Sequence, residues 1–316
     1  MTETFAKSPG WLDWDSDIGS PNFDLPHGAV DSHCHVFGPS AEFPFAPERK
    51  YTPCDAGKHD LRNLRRALGV SRSVIVQATC HGRDNSAMLD ALDFFGETAR
   101  GVATVGPDIG HENLESMHRR GVRGVRFNFL KRLVAEDPSE DLLAVAAKIK
   151  EFGWHVVLYF EPDALPDIEP LLARIDVPVV IDHMGRPDVS SAPTSREFGR
   201  FLELVDRYEA WVKISCPERL TKTGPYAERG AKSLYDDVVP FARKVVEEFP
   251  ERVLWGTDWP HPNLKTHMPN DAVLLDYIPR VAESEEARRA LLVDNPMTLY
   301  WPGHASRRHE EGGDAS

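Results

Sequence analysis

The feature that most limits what this chain can fold into is a repeated alternation of short β-rich runs with stretches of helical periodicity. Eight such runs can be read: GAVDSHCH (28–35), SRSVIVQA (71–78), GVATVG (101–106), GVRGVRFN (121–128), HVVLYF (155–160), VPVVIDH (177–183), AWVKIS (210–215) and RVLWGTD (252–258). Amphipathic patterns lie between them, among them NSAMLDALDFFGE (85–97), LLAVAAKIKEF (142–152) and YDDVVPFARKVVEEF (235–249). Strands joined through helices run parallel, because the helix carries the chain back to the starting edge of the sheet. Runs such as VPVVI are apolar at nearly every position, which fits a sheet covered on both faces. An open doubly wound sheet would alternate in the same way. No strand here leads into a Gly-rich dinucleotide loop, however, and eight units favour closure into a (β/α)8 TIM barrel.

A chain of 316 residues suits one such barrel and is long enough to bury a large core without disulfides or a structural metal. Residues 1–25 carry no sustained periodicity and are expected to form an N-terminal arm, whose Trp11, Trp14 and Phe23 call for something to pack on. Residues 26–302 would be the catalytic barrel, and the polar, Gly-containing stretch 303–316 a disordered tail. A net charge of -13 argues against nucleic acid or an anionic membrane surface as a partner. No run approaches about 20 consecutive apolar residues and no secretory leader is evident. Cys34, Cys54, Cys80 and Cys216 are scattered with no CxxC pair, so free thiols in a cytoplasmic protein are expected.

The informative polar groups fall at the C-terminal ends of the predicted strands, where barrel enzymes build their sites. His33 and His35 end the first strand, and a period of two puts both rings on one face with Cys34 turned away. His183 ends the sixth run within VVIDHMGRP, and Asp258 ends the eighth within LWGTDWPHPN. A lone buried histidine is more often a packing group than a catalyst, but four such groups on the strand ends of one barrel are hard to explain by packing. Arg126, Lys131 and Arg132 follow the fourth run, Arg186 the sixth and Arg219 the seventh. Guanidinium forks bind carboxylates in a bidentate way, so this recurrence in an acidic chain points to a substrate with more than one anionic group. Cys34 and Cys80 are read as buried small hydrophobes, His81 and His261 as supporting groups near the site, and His155, which starts its strand, as structural.

The HxH of the first run, DHMGRP, WGTDWPH and the late DNPMTLYW together resemble the amidohydrolase superfamily. Within it the segments DSHCHVFGP, FPFAPERKY, VIVQATCHG, RGVRFNFLKR, HVVLYFE, IDHMGRPDV and WGTDWPHPN are similar to the 2-pyrone-4,6-dicarboxylate hydrolases, a lactonase family. The likeness spans about residues 26 to 302. It implies a small anionic lactone as substrate, opened reversibly to 4-oxalomesaconate in bacterial breakdown of lignin-derived aromatic compounds. Asp258 would be the general base that activates water, and His33, His35 and His183 would stabilise the oxyanion. Tyr51, Thr79, Arg126, Arg132, Tyr159, Arg186, Arg219 and Asn263 would bind substrate, Thr79 standing where Ser is usual.

Metal-dependent members of the superfamily add a Lys or Glu on the fourth strand and a His on the fifth. This chain offers Arg126 and Asn128 on the fourth and Tyr159 on the fifth. The resemblance therefore implies an enzyme with no metal and no cofactor. Three alternatives stay open: a 4-sulfomuconolactone hydrolase or related anionic lactonase, a metal-dependent decarboxylase, and a barrel that binds dicarboxylates without turnover. The second is weakened by Tyr159. The third is weakened by Asp258 and the histidines, which pure binding would not need.

Overall fold

The computed structural model describes residues 6–134, 137–224 and 234–303. Eight parallel strands form one sheet in sequence order: β1 (Val30–Cys34), β2 (Arg72–Val76), β3 (Ala99–Ala103), β4 (Val122–Asn128), β5 (His155–Tyr159), β6 (Val179–Ile181), β7 (Trp211–Lys213) and β8 (Val253–Leu254). Each strand pairs in parallel with the next, from β1·β2 round to β7·β8. The last gap is closed by the segment that follows β8. There the Ser32 amide donates to the Trp255 carbonyl (2.9 Å), the Asp258 amide to the His33 carbonyl (2.7 Å) and the His35 amide to the Trp259 carbonyl (2.7 Å). Gly256 makes this closure possible, since a Cβ there would lie 2.5 Å from the backbone nitrogen of His33.

The helices that cover the sheet are α1 (Lys58–Leu68), α2 (Ser86–Phe95), α3 (His111–Arg119), α4 (Ser139–Ile149), α5 (Leu165–Leu172), α6 (Arg196–Arg207), the short α7 (Pro217–Leu220) and α8 (Val239–Glu248). Their apolar residues recur at helical spacing and face the sheet. In α6, for example, Phe198, Phe201, Leu202, Leu204 and Val205 are buried, and the Ser195 hydroxyl caps the first turn by accepting from the Phe198 amide. The strands and helices share one hydrophobic core. Among the described residues no helix is long and apolar enough to cross a membrane.

The ladders are shorter than, or offset from, the runs read in the sequence, and two of the differences matter for function. The run 177–183 holds its ladder only over Val179–Ile181, and the run 252–258 only over Val253–Leu254. In both, the chain leaves the ladder before its functional residue, because His183 (φ 52°) and Asp258 (φ 64°) adopt left-handed backbone conformations. The third strand begins two residues early, at Ala99.

Residues 6–25 contain no helix or strand and lie along the C-terminal rim of the barrel. The Ser8 amide bonds the Thr52 carbonyl (2.9 Å) and the Leu12 amide the Leu264 carbonyl (2.8 Å). The ring of Trp14 meets that of Trp259 edge-on at 5.3 Å, and Phe23 packs on the core. The three aromatics of the arm thus have partners, Trp11 sitting under the Lys265 ammonium. The tail beyond Gly303 lies outside the described residues.

Candidate functional site

Asp258 stands at the centre of the C-terminal mouth, on the left-handed turn after β8. Its Oδ1 faces three imidazoles: His35 Nε2 at 3.2 Å, His33 Nε2 at 3.4 Å and His183 Nε2 at 3.9 Å. Its Oδ2 accepts from Arg219 Nε (2.9 Å), and Nη2 of the same guanidinium pairs with it at 2.9 Å. Burial alone would push this carboxyl up. Arg219, with the hydrogen bond shared with His35 and the nearby His183, instead holds it well below the usual carboxylate range. Asp258 is therefore an ionised carboxylate at neutral pH.

The three histidines are held differently. His35 has Nδ1 on the Val76 carbonyl (2.7 Å), so that nitrogen carries the hydrogen and the ring is fixed edge-on to Asp258. His183, turned inward by its left-handed backbone, has Nδ1 on the Ser215 hydroxyl (2.8 Å), and burial pushes it well below the ordinary imidazole range. His33 lies beneath the other two, fully enclosed. Lys213 Nζ reaches its Nδ1 at 3.1 Å, and burial together with that ammonium lowers its pKa to about 3. Cys34, as its alternation required, turns away from the histidines toward the Val74 carbonyl.

The arginines divide into two groups. Arg126 is buried, donates from Nε to Asp182 Oδ2 (2.9 Å) and lies 5.0 Å from the ring centre of Tyr159. Arg219 is clamped between Asp258 and the Pro262 carbonyl (2.7 Å). Farther out, Arg186 donates to the Tyr159 hydroxyl (3.0 Å) and lies 3.4 Å from Glu161, while the half-exposed Arg132 also pairs with Glu161. Two connected spaces follow this division. An inner cavity of about 40 Å³ is lined by His35, Tyr51, Thr79, Arg126, Tyr159, His183, Arg219, Asp258 and Asn263. An outer one of about 460 Å³ takes in Arg132 and Arg186 and shares Tyr51, Tyr159, Arg219 and Asn263 with the first. Trp11 of the N-terminal arm lines the outer space. The residues read from the sequence as catalytic or substrate-binding thus fall in or beside one concavity, with His33 under its floor and Arg132 and Arg186 at its rim, whereas Lys131 lines neither space. A larger hollow of about 600 Å³ between α6 and α8 contains no histidine, cysteine or arginine and opens broadly to solvent.

Sequence reasoning missed the groups behind the floor. Asp182, one residue before His183, bridges Arg126 and Lys213 (3.2 Å) while fully buried. Lys213 is the lysine of AWVKIS, and a lysine inside an apolar strand run was the available signal. A second buried set joins Asp258 to the barrel wall. Glu218 lies 3.5 Å from Arg219 and 3.8 Å from His261, whose Nε2 bonds Asp271 at 3.0 Å. Burial disfavours a charged His261, but Asp271 and Glu218 outweigh it and raise its pKa to about 10. The ligand atoms of His33, His183 and Asp258 lie close enough together to meet at one metal ion, as do those of Cys216, Glu218 and Asp258.

Residues 30–301 match the amidohydrolase family. A 2-pyrone-4,6-dicarboxylate hydrolase from Comamonas testosteroni is 58% identical over 299 residues, 94% of this chain and 98% of that protein. A 4-sulfomuconolactone hydrolase from Hydrogenophaga intermedia is 35% identical over 296 residues, covering 93% and 95% of the two chains. An apo crystal structure from Agrobacterium tumefaciens superposes with a TM-score of 0.76 at 30% identity, over 89% of this chain and 98% of the other. With the barrel, the strand-end histidines and aspartate, and a match over nearly the whole folded chain, this protein belongs to the amidohydrolase family.

Proposed function

We propose that this chain hydrolyses the lactone ring of 2-pyrone-4,6-dicarboxylate to 4-oxalomesaconate, reversibly and without a metal ion. The observation that carries the reading is Asp258: one carboxylate oxygen fixed by Arg219, the other among three imidazoles, at the inner end of an arginine-lined cavity. The 58% identity to a protein of that activity supports the substrate. In the forward direction Asp258 accepts a proton from water as the water oxygen attacks the ring carbonyl carbon. Imidazole N–H groups stabilise the charge that grows on the carbonyl oxygen. When the ring C–O bond breaks, Asp258 returns the proton to the leaving oxygen, and the resulting enol becomes the keto product. The new carboxyl group ionises and releases one proton, so low pH favours ring closure. Arg126, Arg132, Arg186 and Arg219 supply the charge for two substrate carboxylates, with Tyr51, Thr79, Tyr159 and Asn263 as neutral hydrogen-bonding partners.

Metal independence rests on the donor set. His33, His183 and Asp258 could meet at one ion, but Arg219 holds Asp258 Oδ2 and Lys213 stands on His33 Nδ1. A divalent cation would enter a pocket already flanked by the buried Arg126 and Lys213 and the part-buried Arg219, and Arg219 would compete for its carboxylate. Tyr159 stands on the fifth strand where metal-binding members carry His, which also argues against the decarboxylase reading.

The second reading, a lactone carrying a sulfonate, is favoured by the relatives of 35% identity, because the same guanidinium groups serve that anion. One experiment separates these readings: purified protein is offered each lactone, with and without a chelator, and loss of ring absorbance is followed. Rapid, chelator-resistant turnover of the pyrone is expected. Preference for the sulfonated lactone would move the substrate, and loss of activity restored by zinc would overturn metal independence.

A further inference from the structure

Lys213 is a fully buried lysine in β7 for which the proposed reaction has no direct use, and its surroundings are specific. Its Nζ lies 3.1 Å from His33 Nδ1 and 3.2 Å from Asp182 Oδ1, while Asp182 Oδ2 accepts from Arg126. Burial lowers the pKa of Lys213 and the adjacent Asp182 carboxylate opposes that; as an ammonium paired with this carboxylate the lysine has hydrogens to donate and no lone pair to accept with. His33 Nδ1 also lies 3.2 Å from Asp182 Oδ1, so two arrangements of the ring hydrogen compete. In one, Nδ1 carries the hydrogen and donates to Asp182. In the other, Nδ1 accepts from Lys213 and the hydrogen sits on Nε2. The directional requirements of a hydrogen bond are met from Lys213 and not toward Asp182, whose Oδ1 is left without a hydrogen-bond partner. His33 Nε2 is likewise left without one and lies 3.4 Å from Asp258 Oδ1.

We propose that Lys213 is a positioning residue that holds neutral His33 in the tautomer with hydrogen on Nε2, so that this ring offers the reacting centre a hydrogen-bond donor and no lone pair. Two consequences follow. The donor is available without protonating an enclosed imidazole. The Nε2 lone pair that a metal ion would need is absent, so Lys213 helps to keep the His33, His183 and Asp258 set from taking a divalent cation. The inference deepens the metal-free lactonase reading and rests on it for the use made of the donor. The tautomer itself stands on the geometry alone.

The test is a ¹⁵N-histidine NMR spectrum of the resting wild-type enzyme, with the His33 signals identified by their loss in His33→Gln. A pyridine-type Nδ1 and a pyrrole-type Nε2 are expected. The reverse assignment, or two pyrrole-type nitrogens, overturns the proposal whatever the enzyme hydrolyses, and absence of lactone turnover with the expected spectrum would instead count against the function alone. Lys213→Met removes the donor while keeping an unbranched chain and leaves Asp182 as the neighbour of Nδ1. In that variant, if it folds, the His33 tautomer should reverse, kcat should fall about 10²-fold with KM little changed, and bound zinc after metal exposure should rise. A Lys213→Met enzyme whose His33 signals match wild type would show that the lysine only neutralises Asp182, and would also overturn the proposal.

Discussion

The floor of the site and its rim are built from the same kinds of residue and behave as opposites. On the floor, Asp258 has a side-chain exposure of 5% and His33 of 0%, and each sits on backbone bonded directly across the barrel seam. At the rim, Arg132 is 50% and Glu161 39% exposed, and both belong to loops. Buried charges at hydrogen-bond distance interact strongly and are little screened, whereas exposed pairs contribute about 0–1 kcal/mol and exchange readily with solvent. In the proposed reaction the floor would fix where a proton moves and the rim would select the anion, with Glu161, paired with both Arg132 and Arg186, competing for the groups that would bind it.

The largest effect should come from the floor. Asp258→Asn keeps size and hydrogen-bonding shape but cannot accept the proton of water, so turnover should fall by at least about 10²–10⁴-fold while substrate still binds by calorimetry. His183→Gln should retain measurable activity, because His33 and His35 still face the same carboxylate oxygen. Equal residual rates in the two folded variants would mean that the floor does not act through Asp258.

The next comparison sets one arginine of each region against the other. Arg126→Met leaves the buried Asp182 without one of its two cations, and loss of one partner from a buried pair costs about 3–5 kcal/mol. From sequence alone, Arg126→Met and Arg132→Met would both be expected to weaken binding and spare the fold; the contact with Asp182 changes that expectation for Arg126. Arg132→Met should leave thermal stability nearly unchanged and raise KM, with an effect that shrinks as salt is added. Equal melting temperatures for the two variants would erase the distinction between floor and rim. The smallest effect should come from Glu161→Gln, which releases Arg132 and Arg186. KM should fall a few-fold at low ionic strength with kcat unaltered; a rise in KM would show that Glu161 orients these arginines instead of competing with substrate.

The alternation of apolar runs was enough to read the barrel, because burial on both faces leaves each strand its own signature. The polar residues that close those runs stood out for the same reason, and His33, His35, His183 and Asp258 were picked as such, though His183 and Asp258 lie beyond their ladders. Asp182 was passed over because its partners lie on strands that sequence does not align, and Lys213, a lysine inside an apolar run, gave a local signal but no hint of the carboxylate it faces. The set Glu218, His261 and Asp271 comes from three separated loop and helix positions, so no local pattern could join them. The early ends of β6 and β8 were invisible as well, since nothing in VPVVIDH or RVLWGTD marks a left-handed residue at its last position.

Those left-handed residues bear on any effort to make the protein sturdier. His183, Arg186, Cys216, Asp258, His261 and Asn263 all have positive φ without being glycine, and all lie in or around the site. Such a conformation costs roughly 1–2 kcal/mol per residue for a side chain that does not favour it. A selection for heat resistance alone would therefore reward glycine or asparagine at His183, Arg186 and Asp258, and each gain would remove a group on which the proposed reaction depends. Consensus or computational redesign of this scaffold should hold these six positions fixed and seek its gains on the outer helices, where thermal tolerance and turnover can be improved independently.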